Sequence, residues 1–280
     1  MKINYYLADA CQNTFVFVDL LNFTALSVRQ SEQIHDYLIE TNRDDAIILI
    51  NGEEVDASTY QVQMVVLGAD GQLGAFCGNG ARVCAAYLFE YYPQFKRFFI
   101  GAQDCNYELF KYSDEIYAVQ FPKVNFIPNT TYFRGKQSSE MDYFKYEFQG
   151  KTLYYADALE PHLILQDNIS DQALAALAKD INADTDSFPR GINITAYYVT
   201  SDNYLHAKTY ERGVQRITQS CGTGATCTAA FYLRGREGIV TVANPGGRLT
   251  IKHQNSLLEL KGPAFLTSVS QCLEVSNSVA

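Results

Sequence analysis

Short runs rich in Val, Ile, Tyr and Phe recur along the chain, at 13–19 (NTFVFVD), 46–50 (AIILI), 61–67 (QVQMVVL), 117–121 (YAVQF), 197–200 (YYVT) and 238–242 (GIVTV). Their length and their β-branched and aromatic content predict strands. Helical spacing is rarer. It predicts helices over 31–41, opening at Ser31 as a cap, and over 171–180 (DQALAALAKD). Two further helices are predicted over 80–91 and 224–234, where small and apolar residues follow a glycine-rich turn. Strands outnumber helices, and no regular β-α-β alternation runs through either half, which argues against a doubly wound parallel sheet. The pattern predicts an α+β fold of two halves, each a curved mixed sheet or barrel wrapped around one apolar helix. FPKVNFIPNTT (121–131), with its two prolines, reads as the crossover between them.

Composition narrows the function classes. With 280 residues, 47% hydrophobic and 19% charged, the chain reads as an ordinary globular protein long enough for two cores. A net charge of −9 without a Lys/Arg cluster argues against a nucleic-acid partner. No apolar run approaches the ~18 residues of a membrane span. The first residues lack the charged region, long apolar stretch and cleavage site of a signal peptide, so a cytoplasmic setting is expected. There the seven cysteines, at 11, 77, 84, 105, 221, 227 and 272, should be thiols.

Two of those cysteines open matching segments, CGNGARVCAA at 77–86 and CGTGATCTAA at 221–230, one in each half. Each places a cysteine and the amides after it at a helix N-terminus, where unpaired N–H groups and partial positive charge bind carboxylates or phosphates. The same field favours a thiolate. Two such stations suit racemisation at a carbon next to a carboxylate. One thiolate removes the α-proton, the opposite thiol returns one, and both N-termini hold the carboxylate. The plainer alternative is tight helix packing kept by a duplicated fold. A thiol hydrolase using one cysteine with His162 is the other enzyme reading. Cys77/Cys84 and Cys221/Cys227 lack C-x₂₋₄-C zinc spacing, so no metal is expected, and no Gly-Lys-Ser/Thr ending marks a nucleotide loop. Cys84, Cys105, Cys227 and Cys272 read as small core residues.

At these segments the sequence resembles the diaminopimelate epimerase family of cofactor-independent amino-acid racemases. FCGNGARVCA (76–85) is similar to its first cysteine motif and YERGVQRITQSCGTGATCTAA (210–230) to its second. CQNTFVFVD (11–19), GADG (68–71), EPH (160–162), FPRGIN (188–193), NPGGRLTI (244–251) and GPA (262–264) follow the family's order over nearly the whole chain. The resemblance implies two pseudo-symmetric domains, 1–120 joined by a terminal strand over about 266–280, and 121–265, with the active site in a cleft. It implies no cofactor, a small amino-acid substrate and a possible homodimer. Cys77 and Cys221 would be the two bases. Gly78, Asn79, Gly222 and Thr223 would offer amides to the α-carboxylate, and His162 and Glu211 would assist the thiols. Asn13, Asn193 and Arg212 match substrate-binding positions, the last two at the distal end of the substrate.

Two departures from the pattern concern that distal end. Gly68 stands where the family has Asn before Ala-Asp-Gly, and Glu160 where it has Asn before Pro-His. A glycine removes an amide and leaves space, while a glutamate adds a charge favouring a cationic or donor-rich substrate end. Three functions follow: epimerisation of diaminopimelate, racemisation of another amino acid such as histidine, or non-catalytic binding of an amino acid. A phenazine-biosynthesis-like isomerase would share the scaffold, but the cysteine pair counts against it.

Overall fold

The computed structural model describes residues 2–102, 105–135, 138–140, 143–267 and 271–274. The chain divides into two compact units, Met1–Gln120 with Lys261–Ala280, and Phe121–Leu260. The first runs β1 (Lys2–Ala10), β2 (Asn13–Leu20), α1 (Val28–Glu40), β3 (Asp45–Asp56), β4 (Thr59–Gly68), β5 (Leu73–Gly74), α2 (Gly78–Tyr91), β6 (Arg97–Ala102), β7 (Cys105–Lys111) and β8 (Ile116–Phe121). The chain continues through β9 (Ser138–Glu140), β10 (Tyr143–Phe148), β11 (Lys151–Asp157), β12 (Pro161–Gln166), α3 (Asp171–Ala183), β13 (Asn193–Ser201) and β14 (Tyr204–Glu211). It then forms β15 (Arg216–Ile217), α4 (Gly222–Leu233), β16 (Gly238–Asn244), β17 (Gly247–Gln254), β18 (Leu257–Pro263), β19 (Phe265–Leu266) and β20 (Gln271–Glu274). The expected strand over 266–280 falls partly outside the described residues, at 268–270 and 275–280.

The fold is α+β, and its two units repeat one order of elements. In the first, β1 and β2 form a hairpin, and α1 leads to β3 parallel to β2 (Phe15 beside Asp45). β4 returns antiparallel, short β5 pairs with it, α2 follows, and β6 lies parallel to β4 (Thr59 beside Arg97). In the second, β11–β12, α3, β13, β14, β15, α4 and β16 repeat these steps, with His162 beside Asn193 and Tyr204 beside Thr241 at the parallel pairs. Each parallel pair has a helix between its strands, as a crossover requires, so the sheets are mixed rather than doubly wound.

The sheet of each unit lies between two helices of different character. In the first unit Val16, Val18, Leu20, Ala46, Ile48 and Ile50 pack on Ile34 and Leu38 of α1. Alternate residues such as Phe17 face α2, whose Tyr87 ring lies 4.7 Å from that of Phe17. Burial on both faces explains why AIILI reads as an unbroken apolar run. α1 has one buried face, whereas α2 is buried from Gly78 through Leu88. The second unit repeats this layering: α3 offers Leu174, Leu177, Ala178 and Ile181 to Leu163, Leu165 and Ile194, and α4 is buried nearly throughout, against β11–β14, β16 and β17. A helix buried on all sides shows no apolar stripe, which is why small residues rather than spacing marked α2 and α4.

Two local expectations change. The first helix starts at Val28, because Ser27 rather than Ser31 is its cap: Ser27 Oγ accepts from Gln30 N at 3.3 Å, and Gln30 Oε1 accepts from Ser27 N at 2.9 Å. Cys105 is exposed, unlike Cys84 and Cys227, which are buried; the side chain of Cys272 lies outside the described residues. The β1–β2 hairpin turns through Cys11 (φ 58°) and Gln12 (φ 60°). Two left-handed residues suit a two-residue hairpin, but Asn-Gly is the usual choice. Keeping Cys-Gln there costs on the order of 1 kcal/mol or more per residue, and that strained turn delivers Asn13 to the start of β2.

Candidate active site

The first station is the N-terminus of α2. Cys77 is its cap, with extended backbone (φ −132°, ψ 109°), and its sulfur accepts from Gly80 N at 3.3 Å. Gly80 is required by packing: a Cβ there would lie 2.4 Å from Ile47 Cδ1. Asn79 is buried, and its Oδ1 accepts from Arg82 Nη2 at 2.9 Å. Arg82 is fully buried, also donating to Gly78 O at 3.2 Å and, through Nε, to Pro263 O at 3.4 Å. Asn13 is buried as well, and its Oδ1 has no hydrogen-bond partner among the described residues. An unpaired buried acceptor costs about 1–3 kcal/mol, so Asn13 is suited to receive a donor from a ligand.

The second station is built the same way at α4. Cys221 caps the helix (φ −120°, ψ 108°), and its sulfur accepts from Gly224 N at 3.4 Å. A Cβ on Gly224 would meet Thr209 Oγ1 at 2.6 Å, Thr195 Oγ1 at 3.0 Å and His162 Cε1 at 3.1 Å. Those groups form a hydrogen-bonded chain beneath the helix end. Thr209 and Thr195 hydroxyls lie 2.9 Å apart, Thr195 Oγ1 is 2.9 Å from His162 Nδ1, and His162 Nε2 is 3.0 Å from Thr223 Oγ1. Thr223 Oγ1 in turn lies 3.5 Å from Cys221 Sγ. His162 therefore reaches the thiol through the Thr223 hydroxyl.

Electrostatics hold the histidine and the thiol of this station neutral. Burial, reinforced by the charge of Arg212, pushes the His162 imidazole down to about 3, so it is uncharged at neutral pH. Burial first, and then the Glu211 carboxylate, push the Cys221 thiol well above its ordinary range; the Thr223 hydroxyl and Gly224 amide pull the other way and lose. This corrects the expectation that the helix terminus alone favours a thiolate there: desolvation of the charged form outweighs the helix-end field. Glu211 is anchored by the Thr218 hydroxyl, which donates to its Oε1 at 2.6 Å.

Beside this station lies the expected distal group. Arg212 donates through Nη2 to Glu160 Oε2 at 2.7 Å and through Nη1 to Arg190 O at 3.0 Å and Gly191 O at 3.4 Å. Its guanidinium carbon sits 5.6 Å from the centre of the Tyr132 ring. Asn193 works on the backbone: its Nδ2 donates to Pro161 O at 3.1 Å and its Oδ1 accepts from Arg212 N at 3.0 Å, tying the EPH strand to the arginine. Gly68, in the first unit, has the exposed Asp70 carboxylate beside it. A Cβ there would lie 2.7 Å from Asp70 Oδ1, which already accepts from Gln72 N at 3.0 Å.

Within the second unit the structure thus gathers Cys221, Gly222, Thr223, His162 and Glu211, with Asn193, Arg212 and Glu160 alongside. Within the first it places Cys77, Gly78 and Asn79 at one helix end. Residues the sequence reading passed over are Thr195, Thr209, Thr218, Arg82 and Tyr132. The threonines carried a signal: each is a hydroxyl in or beside an otherwise apolar strand, a position that needs a partner when buried. Among the described residues no cluster of three or more His, Cys, Asp or Glu is placed to hold a metal ion, and no helix is long and apolar enough to cross a membrane.

The chain is similar to known proteins over most of its length. The chain is 31% identical over 217 residues to the diaminopimelate epimerase of Bacillus licheniformis, covering 72% of this chain and 75% of that one. It is 29% identical over 271 residues to that of Thermotoga maritima, covering 94% and 97%. No family model matches. Among solved structures, a hydroxyproline epimerase from Agrobacterium vitis superposes with a TM-score of 0.66 at 12% identity, over 98% of this chain and 91% of that one. A phenazine biosynthesis protein of the PhzF family from Enterococcus faecalis does so with 0.60 at 17% identity, over 96% and 98%. At such identities the structural likeness speaks for the fold alone.

Proposed function

This chain belongs to the diaminopimelate epimerase family and is an isomerase, and from that premise we propose that it inverts the α-carbon of diaminopimelate with two cysteines and no cofactor. The observation carrying this reading is the pair of cysteine caps, Cys77 and Cys221. They have matching backbone angles, the same sulfur-to-amide bond three residues on, and equivalent places in two units of one element order. One thiolate takes the α-proton as the other thiol delivers a proton to the opposite face, so the protein ends each turnover with the roles exchanged. Amides of Gly78, Asn79, Gly222 and Thr223 receive the α-carboxylate, whose negative charge grows as the proton leaves. Neutral His162, through Thr223, and Glu211 orient the Cys221 proton. Asn13 accepts a donor from the substrate, and Arg212, held by Asn193, faces its distal end. A reducing, cytoplasmic setting keeps both thiols available.

The test is exchange of the substrate α-proton in D₂O with reductant, followed by NMR. Wild-type protein should exchange it on diaminopimelate, and Cys77→Ala or Cys221→Ala should lower inversion by about 10²-fold or more. Binding without any exchange would establish a non-catalytic amino-acid sensor instead.

One observation favours a second reading, racemisation of another amino acid. The guanidinium that would receive a distal carboxylate already holds an internal one, Glu160. An amino acid whose side chain ends in a donor, such as histidine or a basic one, would meet Glu160 without displacing that pair. Exchange on those amino acids faster than on diaminopimelate would select this reading.

A further inference from the structure

The two stations match in backbone but not in charge. Arg82 and Thr226 occupy equivalent places in CGNGAR and CGTGAT, and each donates to the carbonyl four residues earlier: Arg82 Nη1 to Gly78 O at 3.2 Å, Thr226 Oγ1 to Gly222 O at 2.9 Å. One helix end thus carries a guanidinium where the other carries a neutral hydroxyl. Arg82 is wholly buried, and its hydrogen bonds to protein oxygen go to two carbonyls and one amide oxygen; among the described residues it has no carboxylate in an ion pair. An arginine does not shed its proton at working pH, and a buried charge without a counter-charge is costly.

Among the described residues the titratable groups acting on Arg82 are thiols. Cys11, from the strained β1–β2 turn, hydrogen-bonds the guanidinium, and Cys77 stands at the cap of α2; a negative charge on either would stabilise the guanidinium against its burial. Cys84, deeper on α2, is pushed well up by burial and by Cys77, and stays a thiol. At α4 the balance reverses, with the Glu211 carboxylate beside Cys221.

We infer that Arg82 is a positioning residue that makes the two thiols unequal, holding Cys77 as the resting thiolate and leaving Cys221 as the resting thiol. The free protein is then poised to take a proton at Cys77 and give one from Cys221, and the reverse direction starts from the less populated protonation state. Arg82 also fixes the Asn79 side chain and the Gly78 carbonyl, so the charge arrives with the geometry of the helix end. This inference rests on the two-thiol reading for its meaning in catalysis, but not for its test.

Iodoacetamide alkylation across a pH series, read peptide by peptide by mass spectrometry, gives a midpoint for each cysteine without substrate. The midpoint is the quantity compared, because absolute rates also follow exposure. In the intact protein Cys77 should titrate at least about one pH unit below Cys221. Arg82→Gln should raise the Cys77 midpoint by about one unit or more and leave that of Cys221 unmoved, whereas Arg82→Lys, which keeps the charge, should hold Cys77 low. A lower midpoint for Cys221 in the wild-type protein overturns the inference, as does an unchanged Cys77 midpoint in folded Arg82→Gln. If Arg82→Gln does not fold, the wild-type order and Arg82→Lys decide, an upward shift in folded Arg82→Lys counting against. A protein that alkylates as expected but exchanges no α-proton would refute the proposed function and leave this inference standing.

Discussion

His162 is buried and neutral, its ring nitrogens satisfied by the Thr195 and Thr223 hydroxyls, and that has a pH signature. Its folded value is about 3 against an ordinary 6.5, so between those values the unfolded chain binds a proton that the folded chain does not. Stability therefore rises with pH across that window, by up to about 1.4 kcal/mol per unit from this residue, and is lost as pH falls. His162→Asn should flatten the slope of unfolding free energy between pH 4 and about 6.5, as measured by urea titration; an unchanged slope would show the imidazole already open to solvent. Gly224→Ala is predicted to cost roughly 1–3 kcal/mol, because its methyl would collide with Thr209, Thr195 and His162; a thermal melt and the exchange assay should fall together. At this scale the sequence made Cys77, Cys221 and His162 legible, since they sit in quotable motifs. It did not reveal that His162 reaches Cys221 through the Thr223 hydroxyl, because Thr195, Thr209 and Thr223 lie on three separate elements and meet only in the folded unit.

At the scale of elements, α2 and α4 work as ends rather than as faces. Their caps present sulfur to the first-turn amide, so the residue that caps the helix is also the residue proposed to carry the chemistry. Thr223→Val keeps the β-branched shape, removes the hydroxyl between His162 and Cys221 and leaves both without that partner. It should lower inversion by about tenfold or more while α4 still forms, read as exchange rate against far-UV circular dichroism; equal loss of both would assign Thr223 to folding alone. The segments 80–91 and 224–234 were legible through small residues, the strands at 13–19 and 46–50 through apolar runs buried on both faces, and that at 61–67 through its Val and Leu content, with buried and half-buried positions alternating. β7 and β17, CNYELFK and GRLTIKHQ, were not, because one of their faces is partly exposed and their polar residues mask the alternation.

For the whole molecule the twin motif was the most informative stretch, since it forecast two units of one design before any strand order was known. What it left open was charge. The departures at Gly68 and Glu160 are now concrete: the exposed Asp70 carboxylate stands beside the glycine, and Glu160 neutralises Arg212. Glu160→Asn should free the guanidinium and raise exchange on diaminopimelate relative to amino acids with a cationic side chain, measured as a ratio of exchange rates. A ratio that falls would mean Glu160 itself receives the distal ammonium.

The way the first unit closes also dictates an order of assembly. Its β1 is bordered on one side by β2 and on the other by β19 and β20, with Ala8 beside Leu266 and Tyr5 beside Gln271. The second unit, Phe121–Leu260, is drawn from one uninterrupted stretch. During synthesis the half made second can therefore complete its sheet first, while the half made first waits with an open strand edge until residues 261–274 emerge. An unpaired edge is the place where chains adhere to one another, so a chain truncated before β19 is expected to aggregate more readily than the full chain, as light scattering would show.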